Sequence, residues 1–118
     1  MPLSLPFKRD QLVVLITNHP REKWFGRLLG LEAAGIALRG FDLSPWEDVL
    51  SLIRAGEGDQ VAVATRFVPM HRIESLYLDE PSSGVPSLAE VFQKRTGVEA
   101  DTFLVDPPTI TLHQRTEK

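Results

Sequence analysis

Short apolar runs rich in β-branched residues, separated by turn residues, make up most of the chain. This pattern is typical of β-strands. It predicts strands over residues 11–17, 23–31, 35–39, 61–68 and 72–78, with 102–105 as a short sixth strand. In the run over 72–78 the alternation leaves open which face is buried. A helix over residues 25–37 is the alternative to two of these strands, but each glycine in it would cost about 1 kcal/mol in a helix interior.

Two segments carry the start signals of a helix. Ser44 and Ser87 are each followed three residues later by a glutamate, Glu47 and Glu90, which is the arrangement of a capping box. Proline follows Ser44 at the first helical position, where its missing N–H is tolerated. Apolar residues at helical spacing follow both boxes, and we expect the glycines at positions 56 and 97 to end the two helices.

Together these elements predict a mainly β fold with two short helices, arranged as a small SH3-like barrel. We expect residues 1–10 to form an extended leader and residues 106–118 a polar tail. Residues 11–105 are expected to form a single barrel domain with a helical insertion over 44–58. Because edge strands of such barrels expose unpaired N–H and C=O groups, we expect a homo-oligomer that assembles through edge strands.

The composition fits one globular domain and excludes several classes of protein. Of the 118 residues, 42% are hydrophobic and 25% are charged, close to the averages for globular proteins. The longest apolar run, Leu12–Ile16, is far shorter than the ~20 residues that cross a bilayer, and no signal segment opens the chain. We therefore expect a cytoplasmic protein without membrane contact. The formal net charge of −3 lowers the expectation of nucleic-acid binding, because basic residues neutralise phosphates.

Residues that could carry chemistry are few. The chain has no cysteine, which excludes disulfides, thiolate metal sites and cysteine nucleophiles. The three histidines, at positions 19, 71 and 113, lack the close spacing of a metal site. No nucleophile elbow, phosphate-binding loop or dinucleotide fingerprint occurs. The sequence therefore predicts no catalytic residue, no metal and no cofactor, and we expect the chain not to be an enzyme.

Two sequence motifs resemble those of a known family. Residues 26–32 (GRLLGLE), followed by Ile36 and Leu38, resemble the first motif of the Sm-like small barrels. Residues 70–76 (MHRIESL) resemble the second motif in the form of the bacterial Hfq branch, where a histidine precedes an isoleucine by two residues. The resemblance covers residues 12–38 and 61–78, and it implies a small barrel and ring assembly through edge strands.

The chain departs from the family where RNA bases bind. Members of the family carry an acidic residue and, a few positions later, an asparagine in the base-binding loop. Glu32 stands at the acidic position, but residues 33–35 (AAG) follow it without an asparagine. The usual glycine of the second motif is also missing, so that His71 would have to serve instead. The resemblance alone therefore does not carry RNA binding onto these residues.

Two functions stay open. The first is an Sm-like module that contacts single-stranded RNA through cationic and aromatic side chains; its candidate residues are Trp24, Glu32, Gly35, Arg39, His71 and Arg72. The second is a protein-interaction or scaffolding module without nucleic acid, which the acidic balance and the missing asparagine favour. An exposed Trp24 would favour RNA binding, whereas a buried one would remove its stacking role. The alternative for His71 is a half-buried turn residue bonded to a backbone carbonyl.

Overall fold

The computed structural model of the protein describes residues 5–105. The strands are β1 (Leu12–Thr17), β2 (Glu22–Glu32), β3 (Gly35–Asp42), β4 (Ala64–Pro69) and β5 (Ile73–Leu78). The helices are α1 (Trp46–Arg54), α2 (Leu88–Thr96) and α3 (Ala100–Phe103), with single 3-10 turns over Gly58–Gln60 and Met70–Arg72. The predicted tail, with His113, and the first four residues of the predicted leader lie outside the described residues.

All five strands join one antiparallel sheet in the order β4-β3-β2-β1-β5. Within residues 5–105, β4 pairs only with β3 and β5 only with β1, so both outer strands keep an unpaired edge and the sheet is not closed into a barrel. The predicted mainly β fold is confirmed. The alternative helix over residues 25–37 is wrong, because β2 and β3 occupy those residues.

The sheet curls because a short link joins its two outermost strands. Four strand spacings of a flat sheet amount to about 19 Å, whereas the four chain steps from the end of β4 to the start of β5 span at most ~14 Å. Both neighbouring hairpins hold this link. Met70 N donates to the Ala34 carbonyl at 2.9 Å, and Asn18 N donates to the Arg72 carbonyl at 2.8 Å. These hairpins lie at opposite ends of β2, so the 3-10 turn crosses from one end of the sheet to the other and draws the two outer strands toward each other.

Each face of the sheet carries its own hydrophobic core. One face, termed the inner face, is filled by side chains of the sheet and the N-terminal segment, including the buried Leu15 and Leu38. Val68 of one outer strand and Leu76 of the other belong to the same cluster. Side chains of both outer strands thus contribute to one core on this face.

The opposite face, termed the helical face, is covered by α1, α2 and α3. Phe41 of β3 lies at the centre of its core, with its ring centroid 6.5 Å from that of Phe92 and 6.3 Å from that of Phe103. The ring of Trp46 in α1 stacks on Phe41 at 6.3 Å. Aromatic pairs at these separations stabilise a core beyond their area burial, so this cluster fastens the helices to the sheet.

The start of α1 differs from the prediction. The N-cap residue is Pro45, which makes no side-chain capping bond. Ser44 donates instead from its backbone N at 2.8 Å and from its Oγ at 2.7 Å to one carboxylate oxygen of Asp42. The predicted capping box at Ser44 is therefore wrong, because the aspartate two residues upstream holds the serine in a local turn.

The C-terminal helices include one success and one failure of the sequence pattern. At α2 the predicted box is confirmed, since Ser87 Oγ accepts from Glu90 N at 3.1 Å and Glu90 Oε1 accepts from Ser87 N at 2.7 Å. Gly97, in the left-handed conformation, ends this helix. The predicted strand over 102–105 is wrong, because Phe103 and Leu104 turn into the core of the helical face as part of α3 and its end.

Replacing Asp79 by alanine is expected to lower the free energy of unfolding by about 1–2 kcal/mol. Its carboxylate accepts from the backbone N of Leu88 at 2.7 Å and of Ala89 at 2.8 Å, and so caps α2 from the end of β5. The neighbouring Glu80 is exposed, so Glu80→Ala is the matched control and should change stability by less than ~0.5 kcal/mol. Urea unfolding measures both variants. Equal losses of unfolding free energy in the two variants would show that the Asp79 cap does not stabilise α2.

Candidate functional site

Three of the predicted RNA-binding residues meet at one end of the sheet. Glu32 and Gly35 pair across the β2–β3 turn. His71 lies in the 3-10 turn, which the bond between Met70 N and the Ala34 carbonyl holds against that hairpin. Glu32 and His71 are exposed and Gly35 is buried. These three residues, termed the hairpin-end surface, are the part of the predicted site that the structure brings together.

Arg72, the next residue, is directed into the protein. Its Nε donates to the Asn18 carbonyl and its Nη2 to the Pro20 carbonyl, both at 3.2 Å, and Nη2 lies 3.5 Å from Thr17 Oγ1. Nη2 also lies 3.6 Å from Glu22, and the Arg72 side chain is 22% exposed. The guanidinium therefore fastens the β1–β2 turn to the link between β4 and β5.

Replacing Arg72 by lysine is expected to lower the free energy of unfolding by about 1–2 kcal/mol, because an ammonium cannot reproduce the fork of bonds to two carbonyls. The control is Arg21→Lys, since Arg21 pairs with Glu74 at 2.9 Å with a side chain that is 61% exposed. That change should cost less than ~0.5 kcal/mol. Thermal and urea unfolding compare the two. If neither variant loses stability, the structural role of Arg72 is refuted and the predicted role of Arg72 in binding RNA at the surface is again open.

Arg39 lies on the helical face of the sheet, away from the hairpin-end surface. Its Nε donates to the Val105 carbonyl at 2.8 Å and its Nη1 to Thr65 Oγ1 at 3.1 Å. Arg27, opposite it in β2, donates to the Leu104 carbonyl at 3.1 Å. Two arginines of the sheet thus bind the carbonyls that follow α3, which is how helix C-terminal ends are commonly satisfied.

Trp24 is buried on the inner face, with 9% of its surface exposed. The guanidinium carbon of Arg66 lies 4.5 Å from the ring centroid, and Arg66 also donates to Glu22 at 3.2 Å. The Nε1 of Trp24 is buried with no hydrogen-bond partner among the described residues. A ring enclosed in this way offers no free face to a base, so its burial removes the stacking role expected of it.

The structure adds two surfaces that the sequence did not single out. On the β4 side, Phe67 is 52% exposed and Met70 is 39% exposed; on the β5 side, Tyr77 is 44% exposed and Val85 is 64% exposed. We term them the β4 edge patch and the β5 edge patch. The alternation along residues 72–78 left open which face is buried, and only the strand order shows that β4 and β5 are the edges of the sheet.

Within residues 5–105, no group of three or more His, Cys, Asp or Glu side chains could hold a metal ion. The hydrogen bond from Arg95 and then its charge lower the pKa of Glu47, and the same contacts raise the pKa of Arg95. This pair joins the outer sides of α1 and α2 at 2.6 Å and is exposed, as structural surface pairs are. Of the helices described, none is long and apolar enough to span a membrane.

Comparison with family models, with curated proteins and with solved structures finds no match to the chain. The Sm-like resemblance therefore stands on its sequence motifs and stays a prediction.

Proposed function

We propose that the chain is a non-catalytic, self-assembling binding module in which β4 of one copy pairs with β5 of the next. The observation that carries this proposal is the pair of sheet edges that stay unpaired within residues 5–105, each bearing an exposed aromatic residue, Phe67 on β4 and Tyr77 on β5. A free edge offers backbone N–H and C=O groups to another strand. The aromatic rings add apolar area beside the backbone bonds.

Pairing of unlike edges is favoured because it covers both edges of every copy. Pairing of β4 with β4 would leave β5 free, and the reverse pairing would leave β4 free. The two strands also match in length, with six residues each. A contact between unlike surfaces repeats from copy to copy and closes into a ring or grows into a filament. The resemblance to Sm-like proteins favours a ring.

The curled sheet is, in this proposal, a small SH3-like barrel that is open between β4 and β5. The shared core of the two outer strands on the inner face supports it, since Val68 and Leu76 belong to one cluster. In an assembly, the strand of a neighbouring copy would continue each open edge, which removes the exposed backbone groups without closing the barrel internally.

Cross-linking between introduced cysteines tests the edge pairing, and the chain has no cysteine of its own to interfere. Thr65→Cys places a thiol on β4 and Ser75→Cys places one on β5. We expect a short bifunctional thiol reagent to join the two variants when they are mixed, and to join neither variant to itself. Gln93→Cys, at an exposed position on α2, is the control that should not cross-link. Dimers formed by Thr65→Cys alone would contradict the pairing of unlike edges.

Contact with single-stranded RNA is the second candidate function. The observation in its favour is that Glu32, Gly35 and His71 gather at one end of the sheet, beside the link between the two edges. In a ring built through those edges, the symmetry would place every copy of this surface on the same side of the assembly. Against it, Arg39 and Arg72 bond to backbone carbonyls and Trp24 is buried, which favours the scaffold without nucleic acid.

Fluorescence anisotropy with a labelled uridine-rich or adenine-rich oligonucleotide separates these two candidates. RNA binding predicts a dissociation constant that rises with salt and that rises further in His71→Ala. His19→Ala is the matched control, because His19 is an exposed histidine in a turn. Absence of binding at low salt by an assembled protein would refute the RNA function and leave the scaffold.

A further inference from the structure

A groove on the helical face runs beside the free edge of β5. Its floor includes Val14 and Leu43, and its walls include Tyr77 of β5 with Pro86 and Leu88 of the segment that leads into α2. Its volume is about 400 Å³. An apolar cavity of about 150 Å³ holds a benzene molecule, so the groove has room for a phenyl ring.

The far wall of the groove is fixed in place before anything binds. The carboxylate of Asp79 accepts from Leu88 N and Ala89 N at 2.7 and 2.8 Å. Ser82 N donates to the Val85 carbonyl at 2.9 Å and closes the loop between β5 and α2. These bonds fix the loop and the start of α2 relative to the end of β5, so a ligand would meet a preformed opening.

Phe67 is an exposed aromatic residue that could fill such an opening. It is 52% exposed, and its ring packs over Gly35, where an added Cβ would lie 2.7 Å from the ring. The ring therefore lies in a defined place on the sheet. Phe67 pairs with Ala37, and Tyr77 pairs with Val14. Because Val14 belongs to the core under the helices and Ala37 alternates with the inner-face residue Leu38, both aromatic residues face the helical side.

Four antiparallel pairings separate β4 from β5, so the two outer strands run in the same direction. When β4 of one copy adds parallel to β5 of the next, the faces of the two sheets therefore continue from copy to copy. Phe67 then arrives on the side where the groove opens. We propose that Phe67 of one copy inserts into the groove beside Tyr77 of the next copy. This inference rests on the proposed assembly. It adds that the loop after β5 and the start of α2 form one wall of the groove that receives the ring.

A double-mutant cycle tests the insertion. Ser82→Trp fills the groove from an exposed lining position, and Phe67→Ala removes the inserting ring. Each change should raise the dissociation constant of the assembly at least about tenfold. The double variant should be no weaker than the weaker single one, because both changes remove the same contact. Ser82→Ala, which leaves the groove open, should assemble as the wild type does.

Sedimentation velocity over a dilution series measures these constants, and circular dichroism verifies that each variant is folded. The insertion would be overturned if the rises in dissociation constant of the two single variants multiply in the double variant, or if the Ser82→Trp protein assembles normally. Either result would leave the edge pairing intact. A wild-type protein that stays monomeric would overturn both. As a second readout, Phe67→Cys in one population should cross-link to Ser82→Cys in another, and absence of that product in an assembled mixture would also overturn the insertion.

Discussion

Gly40→Ala should destabilise the protein by about 3 kcal/mol or more, at the upper end of the cost of overpacking. Gly40 lies opposite Gly26 where β3 pairs with β2. An added Cβ on Gly40 would lie 2.6 Å from the Gly26 Cα and against the Phe25 carbonyl oxygen. Both obstacles are backbone atoms of a central strand, which cannot rotate away as a side chain can. The two strands would have to separate at this pair of glycines.

Gly30→Ala is the control for that prediction, because Gly30 lies in the neighbouring strand β2 and an added Cβ there would meet nothing within 4 Å. This change should alter the free energy of unfolding by less than ~0.5 kcal/mol. Urea unfolding of the two variants gives the comparison. Similar stabilities for both would mean that the glycine pair does not set the close approach of β2 and β3.

Phe92→Ala should cost about 3–5 kcal/mol, which is typical of removing a buried phenyl ring. Phe92 is fully buried, and its ring centroid lies 5.6 Å from that of Phe103 and 6.3 Å from that of Trp46. It therefore connects all three helices with the sheet. Since a domain of this size has a total stability of about 5–15 kcal/mol, the variant should be close to unfolding at 37 °C.

Phe67→Ala is the matched control for Phe92→Ala, with the same atoms removed from a half-exposed site. At a concentration where the protein is dissociated, it should cost less than ~1 kcal/mol. Calorimetry and urea unfolding report both variants. An equal loss in the two would mean that Phe67 belongs to the core of a single copy, and the β4 edge patch would lose its main residue.

Local pattern was enough to predict most of the architecture. β-branched apolar runs marked the strands, and the capping box at Ser87 marked the start of α2. The prediction failed at Ser44 because Asp42 competes for its N–H and Oγ. It failed at 102–105 because Phe103 and Leu104 meet a core built from distant parts of the chain, and such contacts override local propensity.

The order of the strands was beyond the reach of local pattern, and the candidate site depended on it. Nothing near Arg72 in the sequence shows that its partners are Asn18 and Pro20, more than fifty residues away. Burial of Trp24 likewise depends on β4, which brings Arg66 over its ring. The sequence predicted β4 and β5 as strands, but it did not show that these two strands are the edges of the sheet.

The native mass of the purified protein, measured by light scattering on a sizing column over a hundredfold range of concentration, tests self-assembly most directly. We expect a discrete multiple of the 13.2 kDa chain mass that falls on dilution. We also expect a lower mass at the same concentration when Phe67 is replaced by lysine, but not when the exposed Leu5 is replaced by lysine. A mass of one chain at every concentration would contradict the account.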